Sequence, residues 1–122
     1  MDLNLFERIG GEPTVEAAVN KFYDKFIQQP EITQFFNQVR LPAQIDKMRN
    51  FITLSLTRNT QYSREAIRLA HAPLVERGLN DKHFDLFVSI MNETLVELHI
   101  PKELIEEFIQ ISEDYRDDVL NR

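Results

Sequence analysis

Apolar residues along the 122-residue chain recur at spacings of three and four, the period of one helix face, and strand-like alternation is hard to find. Val15, Val19, Phe22 and Phe26 mark a first helix, opened by Pro13 after the Gly10-Gly11 break and closed before Pro30. A short turn follows through Ile32, Thr33, Gln34, Phe35 and Phe36. Pro42 suits the first turn of the next helix, whose stripe runs through Ile45, Met48, Ile52 and Leu56. The segment LTRNTQYS is polar and reads as a loop. It leads into a short helical segment, REAIRLAHAPLV, that ends near Gly78 and places Ile67, Ala70, His71 and Leu74 on one face. Asn80 or Asp81 can cap a long helix with Phe84, Phe87, Val88, Met91, Leu95 and Leu98 on one side. Pro101 starts a last helix, with Leu104, Ile105, Phe108, Ser112, Tyr115 and Val119 in register. Repeats, linkers and low-complexity tracts are absent. The pattern predicts one all-α domain over residues 1–122.

Composition narrows what such a bundle does. Apolar residues make up 43% of the chain and charged residues 28%, an ordinary globular balance. A net charge of −6 argues against a nucleic-acid or anionic-membrane partner, since either calls for a basic patch. The absence of cysteine excludes disulfides, thiolate catalysis, zinc-finger sites and iron–sulfur sites. The start, MDLNLFERIGG, lacks the basic and apolar regions of a signal peptide, and no apolar run approaches the ~20 residues that span a bilayer. A cytoplasmic location is the expectation.

His71 is the residue on which the functional reading turns. A histidine inside an apolar stripe is either a satisfied core residue or a ligand aimed into a cavity. The stripes contain nine phenylalanines and no tryptophan, and aromatic stripes at helical spacing are usually core. Here, though, Tyr23, Gln44, Lys47 and His71 lie on or beside them, which suggests a pocket with convergent polar groups.

LFERIGG near the start, KFYDKF, the Phe35-Phe36 pair, Gln44 with Lys47 and Met48 one turn on, AHAPLV and DKHFDLF follow one another in this order. In that order and spacing the chain resembles the truncated haemoglobins, and among them the group I (N-type) members. The resemblance runs from Leu5 to Asn121. No single motif is decisive, but the ordered set is specific.

The resemblance implies a shortened globin fold in which two antiparallel helix pairs sandwich a haem. His71 falls on the proximal position, where a neutral imidazole binds the iron. His83, in the segment opening the long helix, is expected to be solvated or bonded locally, and His99 to lie at the surface. Phe36 matches the phenylalanine packed on the haem ring; Phe51, Ile67, Leu74, Phe84 and Phe87 are candidates for the remaining apolar walls. Lys47, Tyr62 and Arg68 are candidates for the polar rim. Tyr23 matches the distal tyrosine and Gln44 the first polar position of the distal helix, where a phenol O–H and an amide N–H can bond the partly negative outer atom of bound oxygen. Met48 stands where some relatives carry glutamine, which makes the inner pocket less polar. Lys47 has two readings, pairing with a haem propionate or serving as a sixth ligand to iron. Ligation needs a neutral amine, which at pH 7 costs about 4–5 kcal/mol, and this favours the propionate.

Two departures from the family stand out. Relatives carry glycines in the loop before the proximal helix, and LTRNTQYSREA has none. Some cyanobacterial relatives bond haem covalently through a histidine near the C-terminus; Tyr115 occupies that region here, so non-covalent haem b is expected.

The leading function is reversible binding of a diatomic gas, oxygen or nitric oxide. The family also offers nitric oxide dioxygenation and redox chemistry on nitrite or peroxide. Both need an external reductase, and the sequence does not rank these uses or decide whether the protein is an enzyme. Two other classes compete: a haem-based gas sensor, for whose output domain a single core of this size leaves no space, and a haem-free helical module that binds a partner. Oligomeric state is unmarked, with a monomer favoured.

Overall fold

Gly10 and Gly11 turn the chain after its first short helix in a way other residues cannot. Both have positive φ (120° and 72°), and a Cβ on Gly10 would lie 2.2 Å from Thr14 Oγ1. The computed structural model describes residues 3–36, 40–57 and 64–122. Around that turn, α1 (Leu5–Arg8) is capped by the Asn4 side chain, and α2 (Glu12–Phe26) begins with Pro13 in its first turn. A one-turn α3 (Pro30–Thr33) follows, and α4 (Leu41–Leu56) again opens on a proline.

The apolar stripe of α2 sinks completely: Val15, Val19, Phe22 and Tyr23 are at most 2% exposed. They pack against α4 on one side and α6 (Asp81–Glu97) on the other, with Ile52, Leu56, Met91 and Leu95 closing the core. Leu98–Pro101 separate α6 from α7 (Lys102–Glu113), a link short enough to lay the two antiparallel. His99 turns it with a φ of 61°. Two helix pairs, α2 with α4 and α6 with α7, thus form the body: the stripes predicted the helices, and the resemblance implied their pairing. Among the described residues there is no strand, and no helix is long and apolar enough to cross a membrane.

The sequence expectation of one last helix through Val119 needs correction. The chain breaks at Asp114 and Tyr115 before resuming as α8 (Arg116–Val119). The Asp114 carbonyl, which would bond the amide of residue 118, instead accepts Arg64 Nη1 at 3.0 Å. Arg116 is drawn to Asp81, Asp85 and Glu113 at 2.6–3.0 Å, pinning the new helix across the start of α6.

The helix of His71, α5 (Arg64–Glu76), runs through Pro73, which removes one internal hydrogen bond. Its most extensive packing is on α8, away from the α2–α4–α6 core. That separation positions the site.

Candidate functional site

His71 is half-buried on α5, and its Nδ1 lies 2.8 Å from the Ile67 carbonyl one turn earlier. A carbonyl only accepts, so Nδ1 carries the proton and Nε2 keeps its lone pair. Burial pushes the imidazole pKa down, partly opposed by the bond to Ile67, which keeps the ring neutral near pH 7. A neutral imidazole with one nitrogen tied to a backbone carbonyl is the form in which histidine binds metal.

The other two histidines are engaged elsewhere. His83 is buried, and its Nδ1 accepts the Asn80 amide at 3.0 Å, completing a reciprocal cap with the Asn80 side chain at the start of α6. Its ring stands edge-on to Phe35 at 5.1 Å. His99 is exposed at the α6–α7 corner.

Tyr23 and Gln44 meet across α2 and α4. Gln44 Nε2 donates to Tyr23 Oη over a long 3.4 Å. Burial pushes the phenol pKa up to about 12, so at neutral pH it remains an O–H. Because Oη already accepts from Gln44, that O–H is left to donate in another direction. The Tyr23 ring is wedged among Phe22, Phe26 and Phe36 in edge-to-face contacts at 5.3–6.3 Å.

Phe36, Met48, Phe51 and Phe87 pack against the core yet stay only partly buried, leaving large apolar side chains partly open at its margin. Phe87 joins the ring cluster through Phe22 at 5.2 Å, and Phe51 lies edge-on to Tyr115 at 5.3 Å. Phe51 and Phe87 also line a small apolar pocket between α4, α6 and α7, with Ser55, Ser112 and Tyr115 at its wall. Sequence reasoning did not assign Ser55 and Ser112 to a pocket, although Ser55 follows Phe51 by one helical turn.

The remaining candidates fall out variously. Ile67 is 1% exposed and Leu74 half-buried on α5. Phe84 is buried, with the Arg116 guanidinium 4.5 Å over its ring, so one face of that ring is already covered. Arg68 is turned to α8: its Nε bonds Asp118 Oδ1 at 2.9 Å and its Nη2 the Arg122 carbonyl at 2.9 Å. Lys47 is exposed and has no ion pair among the described residues. Tyr62 lies outside the described residues, as does most of the glycine-free loop.

Comparison with known proteins places the chain in a family. Residues 4–121 match the family model described as bacterial-like globin. The chain is 35% identical to the group 1 truncated hemoglobin GlbN of Synechocystis sp. over 97% of this chain and 98% of that one. Among solved structures, it is similar to the 2/2 hemoglobin of Synechococcus sp., which carries covalently attached heme in its cyanomet state. The TM-score is 0.91 at 34% identity, covering 98% of this chain and 100% of that one. The truncated hemoglobin of Tetrahymena pyriformis matches at a TM-score of 0.85 and 28% identity, over 97% of this chain and 98% of that one.

Proposed function

The chain belongs to the bacterial-like globins, as a group 1 truncated haemoglobin, and from that premise we propose that it holds haem b non-covalently through His71 and binds oxygen or nitric oxide beside Tyr23 and Gln44. The observation that carries this reading is the His71 Nδ1 bond to the Ile67 carbonyl, which leaves Nε2 as a ligand nitrogen. The surroundings fit such a group. Phe36, Met48, Phe51 and Phe87 are large apolar side chains left partly open, the surface a planar apolar cofactor would cover. Bound there, the haem iron supplies a coordination position at which a diatomic gas binds.

The chain's own residues do the rest. Tyr23 donates its phenol O–H to the outer atom of the gas, and the Gln44 amide steers that phenol by donating to Oη. Each such bond is worth about 1 kcal/mol net, more in a dry pocket, which is several-fold in retention. Met48 keeps its stretch of the pocket apolar and dry. Lys47, exposed and without an ion pair among the described residues, pairs with a propionate at the rim. Arg68 is already committed to Asp118, which makes Lys47 the stronger rim cation. Tyr115, in the region where relatives attach haem, offers a phenol in place of histidine, which supports non-covalent binding. We assign the protein to the cytoplasm as a gas-binding monomer; oxidation of nitric oxide would call for electrons from an external reductase.

The test compares haem-reconstituted wild type with His71→Ala by absorption of the ferrous-CO form. His71→Ala is expected to lose stable haem or to need added imidazole to keep it. A normal ferrous-CO spectrum in His71→Ala, alongside its loss in His83→Ala, overturns the assignment.

A further inference from the structure

The helix that carries His71 has few means of its own to stay in place. Ile67 is the single fully buried residue of α5, whereas α2 buries five and α6 six. Pro73 withholds the N–H that would bond the Leu69 carbonyl, so the helix is weakened within one turn of His71. Its contacts within the chain run mostly to α8, and a polar anchor there sets its position.

Asp118 on α8 supplies it. This carboxylate is 8% exposed at its side chain, and each oxygen meets a different arginine of α5: Oδ2 takes Arg64 Nη1 at 2.5 Å and Oδ1 takes Arg68 Nε at 2.9 Å. A buried carboxylate is costly unless paired, and here both partners come from one helix. Arg64 and Arg68 stand two turns and one turn before His71 on the same face of α5, so a single carboxylate held by both sets the rotation of the helix as well as its distance. The chain end reinforces it. Arg68 Nη2 donates to the Arg122 carbonyl, and Asn121 Nδ2 donates to the Arg68 carbonyl at 3.0 Å. Arg64 also lies over the Tyr115 ring at 4.8 Å.

We propose that Asp118 is a positioning residue for His71: by clamping Arg64 and Arg68 it fixes the rotation of α5, and with it the direction in which Nε2 points. The proposal rests on His71 being the iron ligand, as proposed above. The predicted consequence is local, on α5 and on the iron–imidazole bond.

The experiment uses the full chain with Asp118→Asn, which keeps the shape and removes the charge, and the milder Arg64→Gln, which removes one arm of the clamp together with the bond to the Asp114 carbonyl. In the haem-free protein, hydrogen exchange of residues 64–76 is expected to quicken in Asp118→Asn while α2, α4 and α6 keep wild-type protection. In the haem-loaded protein, transfer of haem to excess apomyoglobin is expected to quicken about tenfold, the usual scale for groups that hold a metal ligand in place. The iron–imidazole stretching band of the ferrous form is expected to shift and broaden. Arg64→Gln moves all three readouts the same way and less.

Haem transfer within about twofold of wild type with an unmoved band overturns the proposal, and so does exchange that quickens equally in every helix, which marks Asp118 as a general stability residue. If Asp118→Asn fails to fold, an unmoved band in Arg64→Gln overturns it. Retention of the iron–imidazole band in His71→Ala overturns the ligand reading and this proposal with it. Loss of that band in His71→Ala, with an unmoved band in Asp118→Asn, overturns this proposal alone.

Discussion

Tyr23 and His71 face the same proposed chemistry from regions built on different physics. Tyr23 stands in the α2–α4–α6 core, its ring locked among phenylalanines and its neighbours on α2 almost wholly buried. His71 stands on a helix with one buried apolar residue, held through arginine–carboxylate pairs to α8. Apolar burial is non-directional and carries no titratable charge, whereas ion pairs are directional and are weakened by protonation and by screening salt. The proposed gas donor thus stands where packing is tight. The proposed iron ligand stands on a helix tied to its neighbour by charge.

The largest expected effect comes from breaking the first region. Phe22→Ala empties the centre of the ring cluster and is expected to cost about 3–5 kcal/mol in urea unfolding, the range for truncating a buried phenylalanine. A cost under about 1 kcal/mol would mean the core relaxes around the loss and the contrast between the regions is weaker than the burial implies.

A smaller change sharpens the comparison without disturbing packing. Tyr23→Phe removes only the phenol oxygen and is expected to speed oxygen dissociation several-fold, up to about tenfold, with a lesser effect on CO. Stopped-flow ligand displacement measures both. An unchanged oxygen off-rate in Tyr23→Phe and in Gln44→Leu would remove the pair from gas binding.

The smallest effect separates the regions by pH. Burial lowers the pKa of His83, so the folded state favours the neutral ring that accepts the Asn80 amide. A depressed pKa contributes stability that is present above the ordinary imidazole value of 6.5 and lost as pH falls through the folded-state value. Arginine bonds lower Glu113 and Asp81 in the same sense around α8, and those contributions are lost further down, below the ordinary carboxylate range. Hydrogen exchange followed from pH 7 down to about pH 2 is expected to loosen the first turn of α6 before the α8 junction, with the α2 core last. His83→Gln is expected to flatten the first step. Loosening of α2 together with α6 would show that the regions respond as one.

Much of this was legible along the chain because helices are local objects. The proline-opened starts of α2 and α4, the Asn80 cap and the apolar faces of α2, α4 and α6 all follow from residues three or four apart. The polar set of Tyr23, Gln44, Lys47 and His71 stands out by its place on or beside the apolar stripes; the structure brings Tyr23 and Gln44 into contact and leaves Lys47 exposed. The break before α8 was not legible. Nothing in the run from Ser112 to Val119 interrupts the period, and the group that takes the Asp114 carbonyl is Arg64, fifty residues away.

What the sequence by itself determined is therefore the helices, their buried faces and the residue types available for chemistry, since propensity, capping and periodicity act within a few residues. The histidine bonds are local as well: His83 turns Nδ1 to its own helix cap and His71 points Nδ1 back at Ile67, three and four residues away. Only the tertiary structure decided that Arg68 belongs to Asp118, and that α5 is tied to α8 by charge. Those outcomes depend on which groups meet when distant segments close on one another, and the pairing of a carboxylate with two arginines 50 and 54 residues off is written in no local pattern.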